Sequence, residues 1–196
     1  MKKNEVFLAW LVLSLLLFPR EGRPSAIPEP MVKFKTLKET VTQLLPGAKN
    51  LSRRDIVLNS KHLKRLEKYK NWDTDATEFV IYHAKNAGKK IQRTLILFPE
   101  HTRQGTLVVA VALDNGGTVT GTVLMEAQQP TMNFLMPLLR AGYMDSFSGK
   151  DRTLKLTLAK KYRSTGLSII SRTYALRIAN AVKKSAQLFH IYFRKR

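Results

Sequence analysis

The chain reads as a single α+β domain: an antiparallel sheet with packed helices and a long C-terminal helix. Three observations predict it. LVVAVAL (107–113), DNGG (114–117) and TVTGTVLME (118–126) form a strand–turn–strand unit, the pattern of a β-hairpin. From 171 to about 193, apolar residues recur at helical spacing. Helical patterns lie before and after the strands instead of alternating with them, which argues for an antiparallel core and not a βαβ unit. The 196 residues contain no internal repeat and are enough to bury one core.

The elements follow in chain order. Lys2 and Lys3 precede the apolar run 6–18, which Pro19, Arg20 and Glu21 end. A basic start and a short apolar run read as a secretory signal over residues 1–26. The run falls below the roughly 20 residues of a membrane span. Ala26 offers a cleavage point; Pro24, two residues before it, keeps a short uncleaved anchor as the alternative. Residues 27–35 read as a linker. Thr36 with Glu39 has the capping-box spacing and opens a helix that Pro46-Gly47 stops. Ser60 is expected to cap a second helix, KHLKRLEKYKNW. EFVIYHA (78–84) and IQRTLILF (91–98) read as strands about a turn at Asn86–Gly88. In the hairpin, the first strand is apolar throughout and so is expected at the centre of the sheet. Pro130 breaks the chain. Residues 132–147 read as one or two short helices interrupted at Pro137. After a turn at 148–151, TLKLTL (153–158) reads as a strand or extended piece. In the last helix Ala175, Ile178, Ala179, Val182, Ala186 and Phe189 share one stripe, and Arg177, Lys183 and Lys184 lie off it.

Composition narrows the function. The net charge is +20. Residues 1–26 carry Lys2, Lys3, Arg20 and Arg23 against Glu5 and Glu21, a net of +2, so a cleaved chain keeps +18. In the cytosol such a charge points to nucleic acid. An exported chain meets anionic lipid headgroups or acidic proteins instead; a merely solvated basic surface is the plainer reading. Basic and aromatic residues are not interleaved as single-strand binders require. Cysteine is absent, which excludes disulfides, thiolate metal sites and cysteine nucleophiles.

The start of the last helix is the candidate site. Thr165, Gly166, Ser168 and Ser171 cluster where the first amides of a helix lack partners, a place that suits an anion such as phosphate. The same serines also serve as helix caps. His62, His83, His101 and His190 show no metal-ligand spacing. Asp114, Asn115 and Gly116 fit a hairpin turn better than a cation loop. Tyr69, Trp72 and Tyr82 are candidates for stacking a ring, Tyr82 equally for the core. No Gly-x-Ser-x-Gly surrounds Ser168, and neither a phosphate-binding P-loop nor a dinucleotide fingerprint occurs.

Several pieces in order resemble the FMN-binding domain family of the flavin-carrying subunits of Rnf and sodium-pumping NADH:quinone oxidoreductase complexes. These are LLPGAK (44–49), IYHAKNAGKK (81–90), VAVALDNGGTVTGTVLMEAQQP (109–130), MDSFSGK (144–150) and STGLSIISRTYALRIANAVKKS (164–185). The resemblance spans most of 36–190 and implies an FMN-binding-like domain over 36–196. Thr165-Gly166-Leu167-Ser168 stands where that family has Ser-Gly-Ala-Thr. It implies FMN joined through its phosphate to Ser168 by an FMN transferase, or held non-covalently. Thr165, Gly166, Leu167 and Ser171 are the supporting contacts. The attachment segment diverges: Leu167 replaces a small residue, Gln128-Gln129 stands in place of Glu-Thr, and Tyr162 lies about where an Asp is usual. The implied function is a periplasmic flavoprotein, exported or anchored to the inner membrane. It would carry electrons between a membrane redox complex and a soluble electron-transfer protein, without binding nucleic acid. The alternative is a flavin-free member of the fold acting as a basic docking protein.

Overall fold

The computed structural model describes residues 30–193 apart from 49, 75, 104, 164 and 165. The signal or anchor reading of 1–26 and the Thr165 assignment therefore lie outside the described residues.

Among the described residues, six strands form one antiparallel sheet in the order β1-β6-β5-β4-β3-β2. They are β1 (Met31–Lys33), β2 (Asn50–Val57), β3 (Glu78–Lys85), β4 (Ile91–Thr102), β5 (Gly105–Asp114) and β6 (Val119–Gln128). The helices are α1 (Leu37–Leu44), α2 (Ser60–Leu66), α3 (Met132–Arg140), α4 (Lys160–Arg163) and α5 (Ile169–Phe193). The architecture is α+β with a long C-terminal helix, as the sequence indicates.

From β2 to β6 the sheet is a meander, each strand beside the next. β1 lies at the opposite edge, pairing Val32 with Ala127. The segment read as a linker thus holds a strand. Because β1 and β2 occupy opposite edges, α1 crosses a face of the sheet between them. Thr36 closes the expected capping box: its hydroxyl accepts from the Glu39 amide, and the Glu39 carboxylate accepts from the Thr36 amide at 2.7 Å. α1 lies so close to β6 that a Cβ on Gly121 would stand 2.9 Å from Leu44 Cδ2.

Alternation along the strands feeds two cores. Ile81, Ile96, Phe98, Val109 and Val111 face α5; Tyr82, Leu95, Ala110, Ala112 and Val123 face α1. β5 is apolar on both faces because both are covered. Its hairpin turn is closed by Asp114, whose Oδ1 accepts from the Gly116 and Thr118 amides. That accounts for Asp114, Asn115 and Gly116 as a turn.

Four local expectations are corrected. Asn59, not Ser60, caps α2, with Oδ1 accepting from the His62 amide at 3.0 Å. α2 also stops at Leu66, and tight turns follow through Tyr69 and Trp72. α3 runs through Pro137; the break comes at Gly142, which adopts a left-handed conformation. The strand read at 91–98 runs on to Thr102, while 153–158 pairs with no strand among the described residues and so is the extended piece of the two readings. β2 carries no apolar alternation, being an exposed edge whose buried apolar residue is Ile56.

Candidate functional site

The head of α5 assembles from a short connection. Gly166 takes φ +66°, a left-handed turn that disfavours a side chain, and nothing lies within 4 Å of where its Cβ would stand. Leu167 turns inward and is buried, while Ser168 is exposed. The Ser168 Oγ accepts from the Ser171 amide at 3.0 Å and lies 3.0 Å from Ser171 Oγ; its carbonyl accepts from the Arg172 amide at 3.0 Å. Ser168 is therefore the N-cap, and Ser171, read as the helix start, is a buried residue of the first turn. Arg172 folds back over the connection, donating from Nε to the Leu167 carbonyl at 3.1 Å and from Nη2 to the Arg163 carbonyl at 3.2 Å. Gly166, Leu167, Ser168 and Ser171 are thus brought together. No hydrogen bond from an acid or a base reaches the Ser168 hydroxyl among the described residues, so nothing there activates it as a hydrolase nucleophile.

Arg172 also ties α5 to α4, and α4 borders a cavity of about 730 Å³. Tyr143, Phe147 and Tyr162 supply aromatic wall; Lys150, Lys155 and Lys161 bring positive charge. Ser146, Thr153 and Thr157 add hydroxyls, and Asp151 is the one carboxylate among its lining residues. Asp151 is engaged: hydrogen bonds from the Thr153 hydroxyl and amide hold its carboxyl below the usual range. Tyr143 and Tyr162 pack edge to face with centroids 4.9 Å apart. Burial, and secondarily Tyr162, pushes the Tyr143 phenol well above its ordinary value, so it remains a neutral donor, here to the Ala175 carbonyl at 2.9 Å. The sheet continues into this wall, since the Val119 amide donates to the Lys150 carbonyl at 2.7 Å and the Gly149 amide to the Val119 carbonyl at 2.9 Å.

The aromatic candidates do not converge. Tyr82 is buried on the α1 face, whereas Tyr69 and Trp72 pack on the α5 face, where Trp72 meets Phe79 and Phe98. His83 is buried: its Nδ1 lies 3.1 Å from Thr94 Oγ1, its Nε2 has no partner, and Phe193 stands edge-on at 5.1 Å. Burial first, then Arg54 and Lys85, lower its pKa. Among the described residues no group of three or more His, Asp or Glu is placed to hold a metal ion.

A second polar cluster escapes the sequence pattern. Lys184, 1 % exposed, donates to Glu100, 2 % exposed, at 3.0 Å. It also pairs with Asp73, as does Arg177 at 3.2 Å, and Arg177 reaches Glu100 at 3.5 Å. Burial raises the Glu100 carboxyl more than these cations lower it. Partial burial works to raise Asp73, but Lys184 and Arg177 together hold it low. Two cations balance two carboxylates, and Asn71 with Asn180 and Gln187 extends the network. It clamps α5 to β4, with Lys184 and Glu100 buried and Arg177 and Asp73 half exposed at its outer side.

No protein-family model, curated protein or solved structure matches the chain.

Proposed function

We propose that the chain is an exported FMN-binding electron carrier, working beside the membrane between a membrane redox complex and a soluble electron-transfer protein. The observation that carries this reading is the basic and aromatic cavity of about 730 Å³ bordered by α4, the helix that Arg172 ties to the head of α5, where Ser168 is exposed. The cavity walls match the parts of FMN. Lys150, Lys155 and Lys161 complement a phosphate, the hydroxyls of Ser146, Thr153 and Thr157 suit a ribityl chain, and the aromatic wall suits a ring system. At the head of α5, Ser168 is exposed, which suits a phosphoester on its hydroxyl. Bound FMN would supply the chemistry, passing one or two electrons; the chain's own residues would bind, orient and surround it with positive charge.

A flavin-free docking protein is the second reading. What favours it is that Ser168 already caps α5 and shares its hydroxyl with Ser171, while the bulkier Leu167 fills the position before it.

Intact-mass analysis with an absorption spectrum, on protein co-produced with an FMN transferase, separates the two. An FMN-sized increment lost in Ser168→Ala establishes the covalent carrier. A yellow protein without the increment, bleached by Lys150→Glu with Lys155→Glu, establishes non-covalent binding in the cavity. A colourless protein of unmodified mass rejects the carrier and leaves the docking protein.

A further inference from the structure

α5 divides sharply into two parts. From Ile178 onward nearly every residue through Phe189 is buried, because the sheet, α2, α3 and the 69–73 segment surround it. Its first two turns are different: Ile169 is 81 % exposed, Ile170 42 % and Leu176 38 %. Ile169, Thr173 and Leu176 fall at i, i+4 and i+7, one outward face, opposite Tyr174 and Ala175, which enter the core. With Ile170 beside them, Ile169 and Leu176 form an exposed aliphatic ridge on the first two turns of α5.

Cations flank the ridge on both sides. The Arg172 contact with the Arg163 carbonyl brings the C-terminal end of α4, with Arg163, to one flank. Arg103 lines a recess of about 330 Å³ with Ile170 and Thr173 on the other. The carboxylates nearby, Asp73 and Glu100, are already matched by Arg177 and Lys184. From Arg152 to the last residue the sequence holds six arginines and six lysines and no Asp or Glu.

We infer that the ridge at the head of α5 docks on an anionic lipid bilayer, with Ile169 and Ile170 entering the headgroup–acyl boundary and Arg103 and Arg163 meeting lipid phosphates. The small size of the apolar patch selects a bilayer over an acidic protein. A protein partner requires roughly 800 Å² of complementary surface on each side, and the three exposed aliphatic side chains Ile169, Ile170 and Leu176 do not provide it. A fluid interface accepts a few protruding aliphatics and pairs its own charge with the flanking cations. The assignment stands whatever Ser168 carries.

The absence of cysteine gives a direct test on the full chain. An environment-sensitive fluorophore is placed at Ile169→Cys and, as reference, at Glu67→Cys near the far end of α5, where Arg65 donates to the Ile191 carbonyl. Vesicles of phosphatidylcholine alone are compared with vesicles containing phosphatidylglycerol. The expected result is a blue shift and quenching by acyl-chain spin labels at position 169, on anionic vesicles, without either at position 67. Arg103→Glu with Arg163→Glu should weaken that response about tenfold or more, near the attraction of two cationic residues to an anionic surface. Equal responses at the two positions, or on the two vesicle types, would overturn the inference. So would a label silent on vesicles but shifted by polyglutamate, which would give the ridge to an acidic protein.

Discussion

Lys184→Met tests the buried clamp between α5 and β4. The substitution keeps a long side chain against Phe98, whose ring centre lies 5.7 Å from Lys184 Nζ, and removes the charge. Glu100 then remains 2 % exposed with Arg177 at 3.5 Å as its surviving cation. Breaking a buried pair by removing one partner costs about 3–5 kcal/mol, because the remaining charge is uncompensated. The lower end applies here, since Arg177 persists and Glu100, already pushed up by burial, can take a proton. A loss of about 3 kcal/mol corresponds to roughly 6–12 °C in Tm for a domain of this size. Asp73 adds little, being half exposed and screened. Urea unfolding followed by circular dichroism gives the value, and adding Glu100→Leu closes a double-mutant cycle. The double variant should recover about 2 kcal/mol relative to the summed single losses. The pH dependence is fixed in sign. A carboxyl with a raised folded pKa is penalised when ionised, so the deficit of Lys184→Met should shrink as the pH falls toward 5. A single-variant cost under about 1 kcal/mol, or strict additivity in the cycle, would refute the reasoning.

Two further outcomes follow from the geometry. His83 is held neutral by burial, so its contribution to stability is complete above the unfolded value near 6.5 and is lost as pH falls through its lower folded value; His83→Gln should flatten the stability profile as the pH falls below about 6.5, and an unchanged slope would show the histidine to be solvated. Gly117 has φ +82° with Phe189 Cδ1 3.0 Å from where a Cβ would stand, whereas Gly149 has φ +76° and open space. Gly117→Ala should cost about 2 kcal/mol and Gly149→Ala about 1; equal costs by thermal melts would remove the proposed contact between the hairpin turn and α5.

The sequence by itself determined the elements whose cause is local. The capping box at Thr36, the DNGG turn and the apolar stripe of α5 depend on residues within a few positions of one another, and each stands where the pattern put it. The start of α5 was legible in outline, since Gly166 and Ser168 carry turn and cap chemistry in their types. Tertiary structure decided the rest. β1 and β2 are held by neighbours distant in sequence, so neither needs an apolar alternation of its own. Pro137 remains helical within α3, whose buried Leu135 and Leu138 anchor it to the core on either side. Lys184 looks like any surface lysine until β4 brings Glu100 to within 3.0 Å of it, from 84 residues away. The cavity wall likewise collects Tyr143, Lys150 and Tyr162 from separate turns. Burial and charge pairing are sums over neighbours that only the folded chain assembles, and no short window of sequence contains them.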